Sequence, residues 1–450
     1  MKKTTSIFLL LFLSTFVFAQ DWVRTGSNLG VERVRLAAAD FKPVYPTPGQ
    51  SPDAQTTNLN KVFNDTLWSD LSNAGIFDMV SKSFYPLQVP GSPAEVKADA
   101  WANSPPNAAM LAFGSLTLTM NDVAPDLIVQ GWLVDVKNPS SPPVLAKQYR
   151  EKASEDNARL IAHKFADEII MRLGGGIAGI AETKLYFISA RTGNKEVWSM
   201  DYDGQNQKAL THLGSIALSP RISPDNSRLA FTTFAKGGVD IGMYSLELNR
   251  LVSFPKFGGT NSSPAWSADG TKLAFSSSRT GDPEIYVVDA NGQNLKRLTA
   301  FHGPDVSPTW NPKTGAQLAW VSGRTGLPQI YLMDSDGANV QRVTDQGYAV
   351  SPSWSPNGQF LAFSWIRHYG PGAPGNQDIY VMDIASKQFV QLTHDAGRND
   401  FPSWSPDGRH LVFQSDRRGK WQIWSMLADG TQQQALTSSG ENTQPNWSFK

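Results

Sequence analysis

Histidines are the side chains best suited to proton transfer near neutral pH, and this chain has six: His163, His212, His302, His368, His394 and His410. No two of them stand at metal-ligand spacing, and no G-x-S-x-G or Walker pattern appears. Cysteine is absent, which removes thiolate nucleophiles, disulfides and Cys-based zinc sites together. Gly174-Gly175-Gly176-Ile177-Ala178-Gly179 spells G-x-G-x-x-G. A helical pattern precedes it and a strand follows, the reverse of what a dinucleotide site needs, so it reads as a helix stop and linker. Turns such as Asp201-Tyr202-Asp203-Gly204 and Asp334-Ser335-Asp336-Gly337 resemble the opening of a calcium loop but lack the third ligand and the distal Glu. They read as hairpin turns, and neither a metal nor a cofactor is expected.

What the spacing does offer is binding chemistry. Arg191, Arg279, Arg324, Arg367 and Arg417 recur at nearly the same point of five repeats. Such a ring could pair with carboxylates of a partner, or the repeat could be copying a turn residue that binds nothing. The repeat itself is marked by Ser263-Pro264-Ala265-Trp266, Ser307-Pro308-Thr309-Trp310, Ser351-Pro352-Ser353-Trp354, Phe401-Pro402-Ser403-Trp404 and Gln444-Pro445-Asn446-Trp447, with Ser219-Pro220-Arg221-Ile222 ahead of them. From Ile222 the spacings are 44, 44, 44, 50 and 43 residues, which suits four short strands per unit and hence propeller blades. Turn signals such as Ser405-Pro406-Asp407-Gly408 separate alternating segments such as Leu273-Ala274-Phe275 and Ile285-Tyr286-Val287-Val288. The long spacing falls in one loop carrying Pro371, Gly372, Pro374 and Gly375. Because the first unit, Leu185 to Thr211, lacks an anchor and Trp447 has nothing after it, the two should combine into one blade. The anchor Trp residues are expected between blades.

Upstream, Val31 to Val44 reads as a strand interrupted at Pro43. Ala54 to Asn73 reads as a helix with Leu59, Phe63, Leu67 and Leu71 on one face, and Ser154 caps a second helix with the stripe Ile161, Phe165, Ile169 and Leu173. Strands are expected over Ile76–Val80, Met110–Leu118, Leu127–Val136 and Val144–Tyr149. The fold class is thus an α/β N-terminal domain plus an all-β six-bladed propeller closed by the C-terminal strand. Residues 1–19, with Lys2 and Lys3 before an apolar run and Val17-Phe18-Ala19 at its end, read as a signal peptide cleaved after Ala19. The domain expectation is 20–173 for the α/β part, 174–182 for a Gly-rich linker and 183–450 for the propeller. Forty Lys plus Arg balance forty Asp plus Glu, so no basic field exists to gather nucleic acid. After the leader no apolar run is long enough to span a membrane.

A leader, an α/β domain, a Gly-rich helix stop and six units carrying S-P-x-W-S-P-D-G, L-A-F and I-Y-x-M-D resemble the TolB family of the Tol-Pal system, as do Lys195 to Asn206 and Val134 to Tyr149. The resemblance covers nearly the whole mature chain. It implies a periplasmic, non-enzymatic scaffold, monomeric within its complex, that binds the peptidoglycan-associated lipoprotein Pal at the pore mouth and the inner-membrane protein TolA through its N-terminal region. Other outer-membrane proteins are further possible partners, and the implied roles are envelope integrity and constriction. Carried over by position, Pal contact falls on Thr260, Asn261, Ser263, Asp305, Val306, Val350, Ser351, Asn399, Asp400 and Thr443, and the arginine ring adds Arg279, Arg324 and Arg417. Gln20 to Arg33 takes a mobile TolA-binding or regulatory role, although Asp21-Trp22-Val23-Arg24-Thr25-Gly26 departs from the usual family start. The alternative is a periplasmic propeller enzyme, such as a polysaccharide lyase or peptidase accessory subunit, with His302, His394 and Asp400 converging in the pore.

Overall fold

A computed structural model describes residues 21–27, 29–30, 32–45, 53–120, 124–234, 237–372 and 375–449. The expected leader, and Pro374 of the long loop, lie outside the described residues.

The N-terminal part consists of α1 (Asp21–Gly26), β1 (Val34–Ala38), β2 (Lys42–Val44), α2 (Ala54–Asn73), β3 (Phe77–Met79), α3 (Ala98–Ala102), β4 (Met110–Thr119), β5 (Asp126–Asp135), β6 (Leu145–Lys152) and α4 (Glu155–Leu173). The sheet runs β3-β1-β4-β5-β6, with β2 also paired to β4. Asp53 and Ser154 cap α2 and α4 by accepting from Thr56 and Asn157 N–H. Leu59, Phe63, Leu67 and Leu71 of α2 meet Ile161, Phe165 and Ile169 of α4 in one core over the sheet. The expected interruption at Pro43 is corrected: Pro43 sits inside β2 opposite Leu116, and the break is at Ala39–Phe41. Edge strand β2 tolerates Pro because no partner needs its missing N–H. Phe41 turns inward instead, stacking on Phe63 at 4.7 Å while its N–H donates to Asn64 Oδ1. Gly114 permits this, since a Cβ there would lie 2.2 Å from the Phe41 ring.

Six four-stranded sheets follow, and each opens with an innermost strand along the channel. These strands are Ala217–Ile222, Asn261–Trp266, Asp305–Trp310, Tyr348–Trp354 and Asn399–Trp404 in blades 2 to 6. In blade 1 the innermost strand is the C-terminal Asn442–Trp447, paired antiparallel to Lys184–Ser189 with Asn442 opposite Ser189 and Trp447 opposite Leu185. The ring is therefore closed by the end of the chain, as the incomplete first repeat required. Second strands have both faces buried; Leu273, Ala274 and Phe275 are all fully buried. The anchor Trp residues join blades with hydrogen bonds as well as area: Nε1 of Trp266, Trp310 and Trp404 donates to the carbonyls of Arg221, Ala265 and Ser353 in the preceding blade. The Thr that follows the outer strand in five blades, Thr211, Thr299, Thr344, Thr393 and Thr437, is also explained. Thr299 Oγ1 accepts from Ile285 N and donates to Glu284, tying the outer strand to the third.

Hydrogen bonds and an ion pair fasten the helices of the N-terminal domain to the Trp ends of blades 1 and 6. Arg409, fully buried in the first turn of blade 6, donates from Nη2 to Gly174 O at the end of α4, and His410 Nε2 lies 2.7 Å from Asn73 O at the end of α2. Basic side chains at two helix C-termini meet the negative ends of the helix dipoles. Between them, buried Asp70 of α2 accepts from His163 Nδ1 of α4 at 2.7 Å and from Tyr202 OH of blade 1 at 2.6 Å. An Arg159–Asp203 ion pair stands beside this group. Burial alone opposes protonation of His163, but its hydrogen bond to Asp70 and the charge of that carboxylate outweigh burial and raise its pKa. Burial also raises the pKa of Asp70, against the opposing effects of its partners.

Two outcomes are expected. Trp310→Ala removes an interblade wedge and its hydrogen bond, and should lower unfolding free energy by about 3–5 kcal/mol in urea titrations. The junction binds protons more tightly folded than unfolded, so its contribution is complete below the ordinary His pKa of about 6.5 and fades as pH rises through the raised pKa of His163. Melting curves between about pH 6 and about pH 9 should therefore fall more steeply for the native chain than for His163→Gln.

Candidate functional site: the central channel and its two mouths

Each innermost strand breaks register with its neighbour at the dipeptide ending in Pro, as between Ser262 and Ala265 in blade 3. The same bulge occurs in all six blades. Its first residue is left-handed throughout: Ser219, Ser263, Ser307, Ser351, Phe401 and Gln444 have φ between 50° and 55°. A non-glycine residue in that region costs about 1–2 kcal/mol, offset here by side chains that receive the freed N–H groups. Ser263 N donates to Thr232 Oγ1, Ser219 N to Gln444 Oε1 and Gln444 N to Gln414 Oε1. These six residues line one mouth of the channel, a cavity of about 420 Å³ bordered also by Thr260, Ser262 and Thr232. Its wall mixes hydroxyl and amide groups with Pro and with apolar Leu218, Phe234, Val239 and Phe401, and Arg221 is the one charged residue lining it among the described residues.

The opposite mouth is a bowl of about 320 Å³ at the Trp ends of the same strands. It is lined by the five anchor Trp residues and Ile222, by prolines of the following turns, and by the residues just before the anchors. The N-terminal domain attaches at this end, since the Asp407–His410 turn directly follows Trp404.

Of the residues carried over from the family resemblance, Thr260, Ser263 and Ser351 border the first mouth. Asn261, Asp305 and Asn399 start their strands fully buried and are engaged within the protein. Asn261 donates to Asp240 and to Gly258 O; Asn399 donates to Asp378 and to Gly397 O. Asp400 accepts from Ser364 Oγ and Phe401 N, each at 2.7 Å, and burial lifts its pKa despite those bonds. Val306, Val350 and Thr443 are partly exposed on the innermost strands. The arginines are turned to their own blades. Arg324 pairs with Asp305 at 2.9 Å and lies over the Tyr331 ring at 4.9 Å; Arg417 donates to Asn399 Oδ1 and lies 4.4 Å from the centre of Trp424. Arg279 lies over Tyr286 at 5.9 Å. All three stack on the aromatic of the third strand, and Arg324 and Arg417 add a bond to the first residue of the innermost strand.

His302, His394 and Asp400 do not converge. His302 is fully exposed and pairs with Asp282, whereas Asp400 is enclosed with Ser364. Among the described residues no group of three His, Asp or Glu side chains could hold a metal ion. The Asp-x-Asp-Gly carboxylates are used by their own turns: Asn206 and Asn339, both left-handed, donate to Asp201 and Asp334. The segment given a mobile role is docked along most of its described length. Val23 and Leu29 are buried beside Phe360 and Leu427, Trp22 meets Phe360 edge-on at 5.4 Å, and Asn357 donates to Gly26 O. Gly26 sits where a Cβ would lie 2.2 Å from Phe360. Reasoning from sequence missed Arg221 in the channel and the Asp70, His163 and Tyr202 junction. Arg221 could have been noticed as the one charged residue at its position in the repeat.

These features define a class: a six-bladed β-propeller, closed by its C-terminal strand, bearing an α/β domain on one end of its channel. The family profile described as the TolB beta propeller domain matches residues 172–369 and 345–450, and the chain belongs to that family. A Tol-Pal system protein TolB of Desulfosudis oleivorans is 33% identical over 254 residues, covering 56% of this chain and 54% of that protein. TolB of Haemophilus influenzae strain PittEE is 29% identical over 266 residues, 58% of this chain and 57% of its own length. The chain thus spans little more than half the length of the curated relatives it matches. The crystal structure of TolB from Acinetobacter baumannii has the same fold, with a TM-score of 0.74, 22% identity, and coverage of 93% of this chain and 98% of that one.

The intrablade reading of the arginines is tested by stability. Arg324→Ala leaves Asp305 buried without its cation and should cost about 3 kcal/mol in urea denaturation, much of it recovered in the double variant with Asp305→Ala. Arg279→Ala, which loses only stacking, should stay within about 1 kcal/mol.

Proposed function

We propose that this chain is a periplasmic scaffold of the Tol-Pal type, with no reaction of its own, that binds the peptidoglycan-associated lipoprotein Pal at the mouth ringed by the Ser-Pro bulges. The observation carrying this reading is the form of that mouth: a concave surface on a rigid ring, at the end of the channel opposite the N-terminal domain, lined by hydroxyl, amide, Pro and apolar side chains with Arg221 as its one charged residue among the described residues. Contact is assigned to Thr260, Ser263 and Ser351 at the rim, with Val306, Val350 and Thr443 beside them. Asn261, Asp305, Asn399 and Asp400, with Arg279, Arg324 and Arg417, support the loops that present this surface. Family membership and similarity to proteins named for the Tol-Pal system support the assignment. The N-terminal segment is assigned to TolA. Because Val23 and Leu29 are buried against blades 5 and 6, that role requires the segment to leave its seat or to be read in place. Other outer-membrane proteins could share the same mouth, and maintenance of the envelope and its constriction are the processes such a scaffold would serve.

The test is co-purification with Pal from the same organism at low and at moderate salt. Retention in both is expected, because a mouth lined by a single charged side chain owes little to screened charge. Thr260→Trp, which blocks the rim on an exposed residue, should weaken binding by at least about tenfold with an unchanged melting temperature. Absence of Pal at both salt concentrations would overturn the assignment.

A further inference from the structure

The bowl at the Trp end of the channel contains one irregularity. In five blades the residue just before the anchor is small and uncharged: Ala265, Thr309, Ser353, Ser403 and Asn446. In blade 2 it is Arg221, and the anchor after it is Ile222 in place of Trp. Arg221 borders both cavities, so its side chain stands at the waist of the channel. Its backbone is fixed, with the carbonyl accepting from Trp266 Nε1 and the next N–H donating to Asn446 Oδ1.

The guanidinium itself is nearly without partners. Nη1 donates to Pro220 O at 2.8 Å, and among the described residues that is its one side-chain hydrogen bond. Among the described residues it enters no ion pair and stacks on no ring, unlike Arg191, Arg324 and Arg417. A guanidinium has five N–H donors in a planar fork matched to a carboxylate. Arg221 is partly exposed at the channel, and burial pushes its pKa down to about 10, so it remains charged at neutral pH with no counter-charge beside it among the described residues. Beyond it lies a space within the size range of small-ligand sites, walled by indole and proline surfaces.

We propose that this bowl binds a small organic monocarboxylate with a flat apolar body, its carboxylate held by Arg221 and its body against the anchor Trp residues and prolines. A monoanion fits better than a phosphate, because one guanidinium supplies one positive charge and the remaining polar groups at its level, Thr309, Ser353, Ser403 and Asn446, are neutral. The bowl shares Arg221 and Pro352 with the bulge-ringed mouth assigned to Pal, but the proposal does not depend on that assignment.

Benzoate and its neutral isostere benzamide are suitable probes for the full-length mature chain, read by calorimetry and by the fluorescence of the Trp residues that line the bowl. Benzoate should give a saturable signal below about 10 mM, with benzamide at least about tenfold weaker. Arg221→Ser installs the kind of residue other blades carry, so the ring should fold normally; benzoate affinity should fall by at least about tenfold while the melting curve holds. Equal binding of benzoate and benzamide by the native chain would overturn the proposal. So would an unchanged benzoate affinity in Arg221→Ser, or no saturation by benzoate at about 10 mM.

Discussion

A blade of this propeller is a sheet with two apolar faces, so it cannot be stable by itself. Second strands such as Lys272–Ser277 and Phe360–Ile366 bury residues on both sides of the pleat, and each blade must be sandwiched by two others. That requirement is satisfied only if the row of sheets closes on itself. Closure depends on one strand pair, in which Asn442–Trp447 returns to Lys184–Ser189 across most of the propeller sequence. Trp447 Nε1 also reaches Thr183 Oγ1, and Lys184 N donates to Ser448 Oγ, so the seam is fastened beyond the ladder. Loop-closure entropy grows only logarithmically with the length of chain enclosed, which is why so distant a pairing is affordable in stability though slow to find.

Much of this was legible in the sequence because a repeat states its packing six times. The spacing of the Ser-Pro-x-Trp anchors gave the blade number, and the missing anchor in the first unit implied the closing strand. Ser154 and the stripe ending at Leu173 marked α4 for the same reason: a short-range pattern with one strong physical cause. The break at Ala39–Phe41 was not legible, because it depends on Gly114 lying opposite and on Asn64 from another element accepting the Phe41 N–H. Nor could spacing say where the recurrent arginines point. A side chain at the start of a loop can face solvent or fold back on its own blade, and the choice is made by the aromatic of the third strand, Tyr331 or Trp424, and by the residue at the head of the first.

Charge in the ring is mostly spent on the blades themselves. Asp201, Asp289 and Asp334 hold their turns, Glu284 and Asp378 hold the terminal Thr of the outer strand, and Asp305 holds Arg324. Few charges are left for the mouths, where Arg221 is the one charged side chain among the described residues that line them. Where charge is used for something else, the repeat is locally altered: Tyr202 and Asp203 of blade 1 and Arg409 and His410 of blade 6 face the helices of the N-terminal domain. The altered turns belong to blade 1, which contains the closing strand, and to its neighbour blade 6.

That placement joins the ends of the molecule mechanically. The closing strand is flanked on one side by blade 6, whose first turn caps α2 and α4, and on the other by blade 2, whose Ser219 and Ile222 N–H groups donate to Gln444 and Asn446 of the closing strand. Asn226 of blade 2 also exchanges two hydrogen bonds with Phe449 just beyond that strand. Arg221 lies between the two N–H groups that grip the closing strand, so the bowl beside it borders the seam between the closing strand and blade 2. In a symmetric repeat every other seam has an equivalent that constrains its sequence. This one, assembled from the two ends of the propeller, is where a blade can depart from the pattern without disturbing the rest.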